Sequence, residues 1–256
     1  MNKQSTLTKK VNTMQIKIIR CKDYDEMSKK AAEKIISSIE KKPNIVLGLA
    51  TGSTPIGLYK ELIQDHKLHG TSYKHVYTVN LDEYVGLAPE DKNSYFSFMK
   101  KQLFDKIDIN LTHTNIPNGI APDLEEESKR YNQLIESLGG VDLQILGIGQ
   151  NGHIGFNEPG TPFTSTTHTI QLTESTRTAN ASHFNSLDEV PTYAITMGVQ
   201  NIMSAKEILL LASGSSKAKA LQQLINGEVT EELPASVLRL HDNVTIIADE
   251  EALKYI

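Results

Sequence analysis

Residues 44–55, NIVLGLATGSTP, decide the fold class of this chain. The first half, Asn44–Leu49, is too apolar to alternate between a core face and a solvent face, which predicts a strand buried on both faces of a parallel sheet. The second half is a turn, and the amphipathic stretch from Gly57 to Lys67 that follows predicts a helix. A buried strand, a turn and a helix in this order begin a βαβ unit.

The same alternation continues along nearly the whole chain. Further strands are predicted at Gln15–Arg20, Val76–Leu81, Leu143–Ile148, Tyr193–Met197, Ile208–Ala212 and Val244–Ala248. Further helices are predicted at Tyr24–Lys41, Ser94–Phe104, Leu124–Leu138 and Lys217–Ile225. The pattern predicts an α/β fold with a single doubly wound, mostly parallel sheet and helices on both faces. Residues 161–190 are rich in Thr and Ser with little periodicity, and we expect them to form a lid segment.

Composition excludes several classes of protein. The 256 residues are 39% hydrophobic with a net charge of −5, which is ordinary for a globular protein and argues against a nucleic-acid or anionic-membrane partner. The one cysteine, Cys21, excludes an intramolecular disulfide, and no apolar stretch is long enough to span a membrane. Residues 1–13 lack the apolar core of a secretory signal. We therefore expect a mobile extension at 1–13, one domain at 14–256 and a cytoplasmic location.

Ligands of open α/β sheets bind at the carboxyl ends of the strands, and four unusual stretches follow predicted strands here. The first is the turn at residues 50–55, called the first turn below. Its Gly52, Ser53 and Thr54 offer backbone N–H groups and hydroxyls at a helix N-terminus, which suits a phosphate. The alternative is a plain helix cap, with Ser or Thr before Pro55.

The second stretch is the acidic pair, Asp82 and Glu83, at the end of a predicted strand. Neighbouring strand residues point to opposite sides, so only one of the two carboxylates can face a pocket. A partly desolvated carboxylate at that edge can act as a general base. The alternative is a pair of solvated acids that opens a loop.

The third stretch is residues 147–160, GIGQNGHIGFNEPG, called the histidine loop below. Five glycines and one proline within fourteen residues indicate a constrained loop, and it contains His153 and Glu158. Histidine titrates nearest to neutral pH, and a neighbouring carboxylate would orient it. The alternative is a structural histidine bonded to backbone.

The fourth stretch is residues 212–217, ASGSSK, called the lysine turn below. Lys217 could reach an anion bound over the sheet, or it could be an ordinary exposed lysine. His66 and His69 lie three residues apart without a carboxylate cluster, and no zinc-protease or calcium-loop pattern occurs. We predict no catalytic metal and no cofactor.

Together and in this order, these stretches resemble the glucosamine-6-phosphate deaminase family, within a wider isomerase–lactonase group of phosphosugar enzymes. The resemblance extends from about Met14 to the C-terminus, and its most specific parts are GHIGFNEPG at 152–160 and LDEYVGL at 81–87. It implies an enzyme that opens the pyranose of glucosamine 6-phosphate, moves a proton between C2 and C1, and releases ammonia to give fructose 6-phosphate.

The resemblance also implies roles for particular residues. Asp82 would be the base of the enolisation step. His153 would be the proton shuttle of ring opening, supported by Asn151 and Glu158. The phosphate of the sugar would be held by Gly52, Ser53, Thr54 and Lys217. The partner implied is a small-molecule phosphosugar, and the chain could act as a monomer or a small homo-oligomer.

The sequence departs from the family pattern in three respects. Asn151 stands where many members have Asp, so it can orient His153 but adds no charge. The family usually has a phosphate-binding arginine in the lid, and Ser182 and His183 occur there instead. His168 and Ile170 stand where members activated by N-acetylglucosamine 6-phosphate carry Arg and Lys, so we expect no such activation.

Three rival functions are weighed against this one. A 6-phosphogluconolactonase shares the first turn and a similar histidine loop, but typically has Arg in place of Tyr84 and lacks the run Asn157–Gly160. A galactosamine-6-phosphate deaminase differs in the orientation of one hydroxyl, which the sequence does not resolve. A sugar-phosphate sensor domain of a repressor would need a DNA-binding motif before residue 14, where thirteen mostly polar residues do not supply one.

Overall fold

The structure is a computed structural model that describes residues 16–181 and 184–256. The extension expected at residues 1–13 lies outside the described residues, and so do Ser182 and His183. Among the residues described, no helix has both the length and the apolar character needed to cross a membrane.

The elements follow the predicted alternation of strands and helices. The strands are β1 (Lys17–Cys21), β2 (Val46–Leu49), β3 (Tyr77–Asn80), β4 (Asp82–Tyr84), β5 (Thr114–Asn115), β6 (Leu143–Leu146), β7 (His168–Gln171), β8 (Tyr193–Thr196), β9 (Glu207–Ala212) and β10 (Val244–Asp249). The helices are α1 (Tyr24–Lys41), α2 (Ile56–His69), α3 (Tyr95–Gln102), α4 (Leu124–Ser137), α5 (Glu174–Asn180), α6 (Val199–Met203) and α7 (Ala218–Asn226).

Seven strands form the main sheet, in the order β1-β10-β9-β6-β2-β3-β5, and every neighbouring pair is parallel. Two clusters of buried apolar side chains cover its faces. Helices α4, α6 and α7 contribute to one cluster, and α1, α2 and α3 contribute to the other. Strand β2 serves both, because Val46 packs in the first cluster and Leu47 in the second. The predicted doubly wound fold with helices on both faces is confirmed.

The strand order reverses between β2 and β6. From β2 the chain adds β3 and β5 on one side, and from β6 it adds β9 and β10 on the other. The crevice outside the carboxyl ends of the strands at such a reversal is where doubly wound proteins bind ligands. The first turn leaves β2 at this crevice, and the histidine loop leaves β6 beside it.

The expectation of one single sheet was wrong in one respect, because a second, antiparallel sheet is present in the order β4-β8-β7. The predicted strand Tyr193–Met197 forms β8 of this small sheet. Among the described residues of the 161–190 segment, the longest helix is the seven-residue α5, which is too short to cross over the main sheet. Instead, strand β7 of this segment forms backbone hydrogen bonds with the antiparallel strand β8.

Candidate active site

A cavity of about 670 Å³ opens at the carboxyl ends of β2 and β6. Seven of the eight residues predicted for the site line it: Gly52, Ser53, Thr54, Asp82, Asn151, His153 and Lys217. Glu158, the eighth, is buried and accepts a hydrogen bond from Asn151. The fold therefore gathers into one place residues that lie up to 165 positions apart in the chain (52 to 217).

Tyr24 of α1 is hydrogen-bonded to the backbone of the first turn and of the start of α2. The Tyr24 hydroxyl lies 3.0 Å from the Ser53 carbonyl oxygen and 3.1 Å from that of Thr54, and it accepts from the Gly57 N–H at 2.7 Å. Pro55 is the N-cap residue of α2, without a side-chain cap bond. The Ser53 and Thr54 side chains line the cavity, so the alternative of a plain Ser or Thr cap is not what the structure shows.

The lysine turn is fixed by Asp249 at the end of the neighbouring strand β10. The Asp249 carboxylate accepts from the Gly214 N–H at 3.0 Å and from the Ser213 hydroxyl. Lys217 follows at the start of α7, where it lines the cavity and forms no ion pair with any residue between 16 and 181 or between 184 and 256. Burial lowers the pKa of its ammonium group. A cation that lines the same cavity as the first turn suits an anionic ligand.

The acidic pair divides between two faces, as predicted for neighbouring strand residues. Asp82 faces the cavity and is only 5% exposed. Loss of hydration raises its pKa to about 8, and the nearby charge of Glu83 adds to the shift. A carboxyl group with this pKa can exchange a proton near neutral pH.

Glu83 points away from Asp82 and holds the N-terminus of α3. Its carboxylate accepts from the N–H groups of Tyr84 at 2.8 Å, Tyr95 at 3.0 Å and Phe96 at 3.0 Å. Burial raises the pKa of Glu83 to about 7, although these three donors oppose the rise. Its contacts are those of a residue that caps a helix.

His153 belongs to a hydrogen-bonded chain that fixes its tautomer. Its Nδ1 lies 2.7 Å from Asn151 Oδ1, and Asn151 Nδ2 donates to Glu158 Oε2 at 2.7 Å. Because a carboxylate only accepts, the amide nitrogen of Asn151 must face Glu158 and its oxygen must face His153. The imidazole then carries its proton on Nδ1, and Nε2 is the basic nitrogen.

The charge state of His153 follows from three surrounding effects. Burial lowers its pKa most strongly, the negative charge of Glu158 opposes this, and the positive charge of Lys217 lowers it further. Glu158 Oε2 lies 3.8 Å from His153 Nδ1. The ring also covers Gly149 so closely that an added Cβ would lie 2.2 Å from it. The result is a neutral imidazole at pH 7, held in one orientation.

Several cavity residues were missed by the sequence analysis: Thr51, Tyr95, Gln150, Phe156, Ser175, Thr176 and Asn180. Three of them belong to α5, inside the segment expected to form a lid. Arg177 of the same helix does not face the cavity, because its guanidinium donates to the carbonyl oxygens of Leu187 and Val190. Asp249 was also missed, since an acid at the end of a C-terminal strand carries no signal of contact with residues 213–214.

Among residues 16–181 and 184–256, no group of three or more His, Cys, Asp or Glu side chains is arranged to hold a metal ion. The cavity lining combines groups suited to an anion, in the first turn and at Lys217, with two groups suited to proton transfer, Asp82 and His153. Such a set can move protons on an anionic substrate near neutral pH.

Comparison with known proteins places this site in context. Residues 22–247 match the family model for glucosamine-6-phosphate isomerases/6-phosphogluconolactonase. The chain is 60% identical over 239 residues to the glucosamine-6-phosphate deaminase of Halalkalibacterium halodurans, covering 93% of this chain and 97% of that protein. It is 52% identical to glucosamine-6-phosphate deaminase 1 of Bacillus subtilis, covering 93% and 98%.

Two solved structures are also similar to this chain. A monomeric glucosamine-6-phosphate deaminase superposes with a TM-score of 0.93 at 51% identity, covering 94% of this chain and all of that chain. A 6-phosphogluconolactonase from Trypanosoma brucei superposes with a TM-score of 0.78 at 18% identity, covering 95% and 99%. The second similarity concerns the fold alone.

The raised pKa of the buried Asp82 carboxyl predicts that the free energy of unfolding decreases as pH rises. The unfolded chain ionises this group near pH 4, whereas the folded protein keeps it protonated up to about pH 8. The contribution of Asp82 to the free energy of unfolding is therefore fully present below pH 4. It is lost as pH rises toward 8, by at most about 1.4 kcal/mol per pH unit. Relative to the wild type, the urea-unfolding free energy of Asp82→Asn should therefore be higher at pH 8 than at pH 5. Equal stability differences at the two pH values would contradict the assigned shift.

Proposed function

The chain belongs to the family of glucosamine-6-phosphate isomerases and 6-phosphogluconolactonases, and we propose that it catalyses the isomerising deamination of glucosamine 6-phosphate to fructose 6-phosphate and ammonia. Relatives 60% and 52% identical over nearly their whole length are named glucosamine-6-phosphate deaminase. The observation that carries the proposal is a desolvated carboxyl group, Asp82, in the same cavity as the oriented imidazole of His153.

The phosphate of the substrate is assigned to the side of the cavity formed by the first turn and Lys217. The hydroxyls of Ser53 and Thr54 and the ammonium of Lys217 line this side. Hydrogen bonds from a charged donor to phosphate are stronger than those from neutral donors. The sugar is thereby oriented with its reacting carbons toward the other side of the cavity.

Ring opening is assigned to His153. The neutral imidazole accepts the proton of the anomeric hydroxyl at Nε2 and returns a proton to the ring oxygen as the C1–O5 bond breaks. The product is the open-chain aldehyde, and the imidazole is regenerated. A fixed Nδ1–H bonded to Asn151 keeps Nε2 available for both transfers.

Enolisation is assigned to Asp82. The carboxylate takes the C2 proton of the open-chain 2-ammonium aldehyde, whose positive nitrogen acidifies that C–H bond. The C1 carbonyl oxygen takes up a proton that the ammonium group releases, and the proton held by Asp82 passes to C1. The product is the protonated imine of fructose 6-phosphate, which water hydrolyses to ketone and ammonia. In the free protein Asp82 holds its proton up to about pH 8, and a substrate ammonium beside it favours the ionised base.

The competing functions are separated by their chemistry. Lactone hydrolysis removes no proton from carbon, so it gives no reason to keep a desolvated carboxyl at Asp82. A sugar-phosphate sensor needs neither this base nor the His153 chain. The galactosamine epimer stays open, because no contact described here distinguishes the orientation of one hydroxyl.

The wider setting is also proposed. We assign residues 14–256 to one catalytic domain, with residues 161–190 as its lid, in the cytoplasm where a phosphorylated sugar is retained. The solved deaminase that superposes at a TM-score of 0.93 is described as monomeric, which favours a monomer over a small homo-oligomer here. A small-molecule phosphosugar is the proposed partner, without nucleic acid or membrane.

Ammonia release tests the proposed function directly. The protein is assayed with glucosamine 6-phosphate, galactosamine 6-phosphate and 6-phosphogluconolactone, the last by acid release. The proposal expects ammonia from the first sugar with the highest kcat/KM. Turnover of the lactone alone, or of no compound, would reject it, and a preference for the galactosamine epimer would reassign the substrate.

Removal of the base should abolish most turnover and spare binding. Asp82→Asn keeps the size of the side chain and the phosphate-binding side, so kcat should fall by about 10²-fold or more while KM changes little. Glu83→Gln is the matched control, since it neutralises the adjacent acid that faces α3 instead of the cavity. A near-normal kcat in Asp82→Asn, or an equal loss in both variants, would refute the assignment.

Replacement of the shuttle should affect ring opening more than enolisation. His153→Gln keeps polarity but removes the group that titrates. Its loss in kcat should be large with the cyclic sugar and smaller with an open-chain analogue that needs no ring opening. The same fold loss with both compounds would argue against the shuttle role.

Activation by N-acetylglucosamine 6-phosphate is not expected. At the matching positions His168 bonds through Nδ1 to the Thr166 carbonyl oxygen at 2.8 Å, and Ile170, which has neither charge nor donor, packs beside Tyr84. A ligand shifts a conformational equilibrium only through different contacts in the two states. Initial rates should be hyperbolic in glucosamine 6-phosphate and unchanged by the acetylated sugar. Sigmoidal rates that the acetylated sugar makes hyperbolic would contradict this expectation.

A further inference from the structure

Helix α5 is tied to the histidine loop through one buried carboxylate. The Thr176 hydroxyl donates to Glu158 Oε1, and Thr173 Oγ1 lies 3.5 Å from the same oxygen. Glu158 and Thr176 are each only 6% exposed. The other oxygen of Glu158, Oε2, accepts from Asn151. The carboxylate therefore joins a helix of the 161–190 segment to the residue that orients His153.

We propose that Thr176 is a positioning residue, whose hydroxyl keeps Glu158 an acceptor toward Asn151 and so keeps His153 in its Nδ1–H form. The hydrogen bonds converge on Glu158. His153 donates to Asn151, Asn151 donates to Glu158 Oε2, and Thr176 donates to Glu158 Oε1. The tautomer argument depends on these contacts alone. Only its effect on turnover rests on the proposed function.

The physical reason lies in what a buried carboxylate requires. The Thr176 hydroxyl donates to Oε1, so without it the buried carboxylate is no longer held with Oε2 against Asn151. The orientation of the Asn151 amide is then no longer fixed by an acceptor. The amide of Asn151 can then reverse, so that Nδ2 faces His153 and Nδ1 has to accept. The imidazole proton moves to Nε2, and the nitrogen assigned to ring opening is no longer basic.

The same contact connects the shuttle with the position of α5. Ser175, Thr176 and Asn180 of this helix line the cavity. When α5 lies over the cavity, the Thr176 hydroxyl reaches Glu158. A displacement of α5 would withdraw that donor, so the competent form of His153 depends on the helix being in place.

The tautomer of His153 is the direct test. Protein labelled with ¹⁵N in histidine is measured by NMR at pH 8, and the His153 signals are assigned by their loss in His153→Gln. Wild type and Thr176→Ser, which keeps the hydroxyl, should both show a protonated Nδ1 and an unprotonated Nε2. Thr176→Val, which has nearly the same shape but no hydroxyl, should show the Nε2–H form. Thr178→Val is the matched control, because Thr178 is exposed on the same helix, and it should resemble the wild type.

Three results would overturn the proposal. They are an unchanged Nδ1–H pattern in Thr176→Val, a shifted pattern in Thr176→Ser, and equal shifts in Thr176→Val and Thr178→Val. The signals of the other histidines report whether each variant is folded. If the valine variant does not fold, Thr176→Ala, which also lacks the hydroxyl, should show the Nε2–H form, and an unchanged Nδ1–H pattern in it would overturn the proposal.

Kinetics provide a second measurement. Thr176→Val should lower kcat on glucosamine 6-phosphate about tenfold, with KM nearly unchanged, and the loss should shrink with an open-chain analogue. A rise in KM with unchanged kcat would indicate a contact to substrate and contradict the positioning role. Wild-type protein that releases no ammonia would reject the proposed function, whereas the NMR result would still stand.

Discussion

The removal of the Asp82 side chain from water is the constraint on which the site depends. Strand β4 is only three residues long, but its pairing with β8 places Asp82 at the floor of a cavity instead of on the surface. An unpaired buried carboxyl group is costly, and folding tolerates it because apolar clusters on both faces of the main sheet supply the stability. A site that needs a base near neutral pH is built in this way from an ordinary aspartate.

The same desolvation shifts the pKa of each ionisable group in the cavity in the direction that favours its neutral form. Burial raises the pKa of the Asp82 carboxyl and lowers the pKa of the His153 imidazole and of the Lys217 ammonium. Lys217, which we propose to hold the phosphate, also acts on the proposed shuttle, because its positive charge lowers the pKa of His153.

Much of the fold could be predicted from the sequence, because long elements leave a pattern. Helix α1 has the predicted bounds Tyr24–Lys41, and the apolar run before the first turn is the interior strand β2. Because parallel strands end at one edge, the four stretches after predicted strands also indicated most of the cavity. Seven of its predicted residues line it.

The second sheet and helix α5 could not be predicted. Strands β4 and β5 have three and two residues, too few to show a period of two, and α5 has seven residues within a Thr-rich segment. Thr176 and Asp249 act through partners 18 and 36 positions away, Glu158 and Ser213. Such contacts depend on tertiary structure and leave no local signal in the chain.

The central claim is that this site works through a carboxyl group that folding removes from water. The most direct test is a ¹³C NMR titration of aspartate-labelled protein without ligand, with the Asp82 carboxyl signal assigned by its absence in Asp82→Asn. The account predicts a titration midpoint near pH 8. A midpoint near 4, the ordinary value of a solvated aspartate, would contradict it.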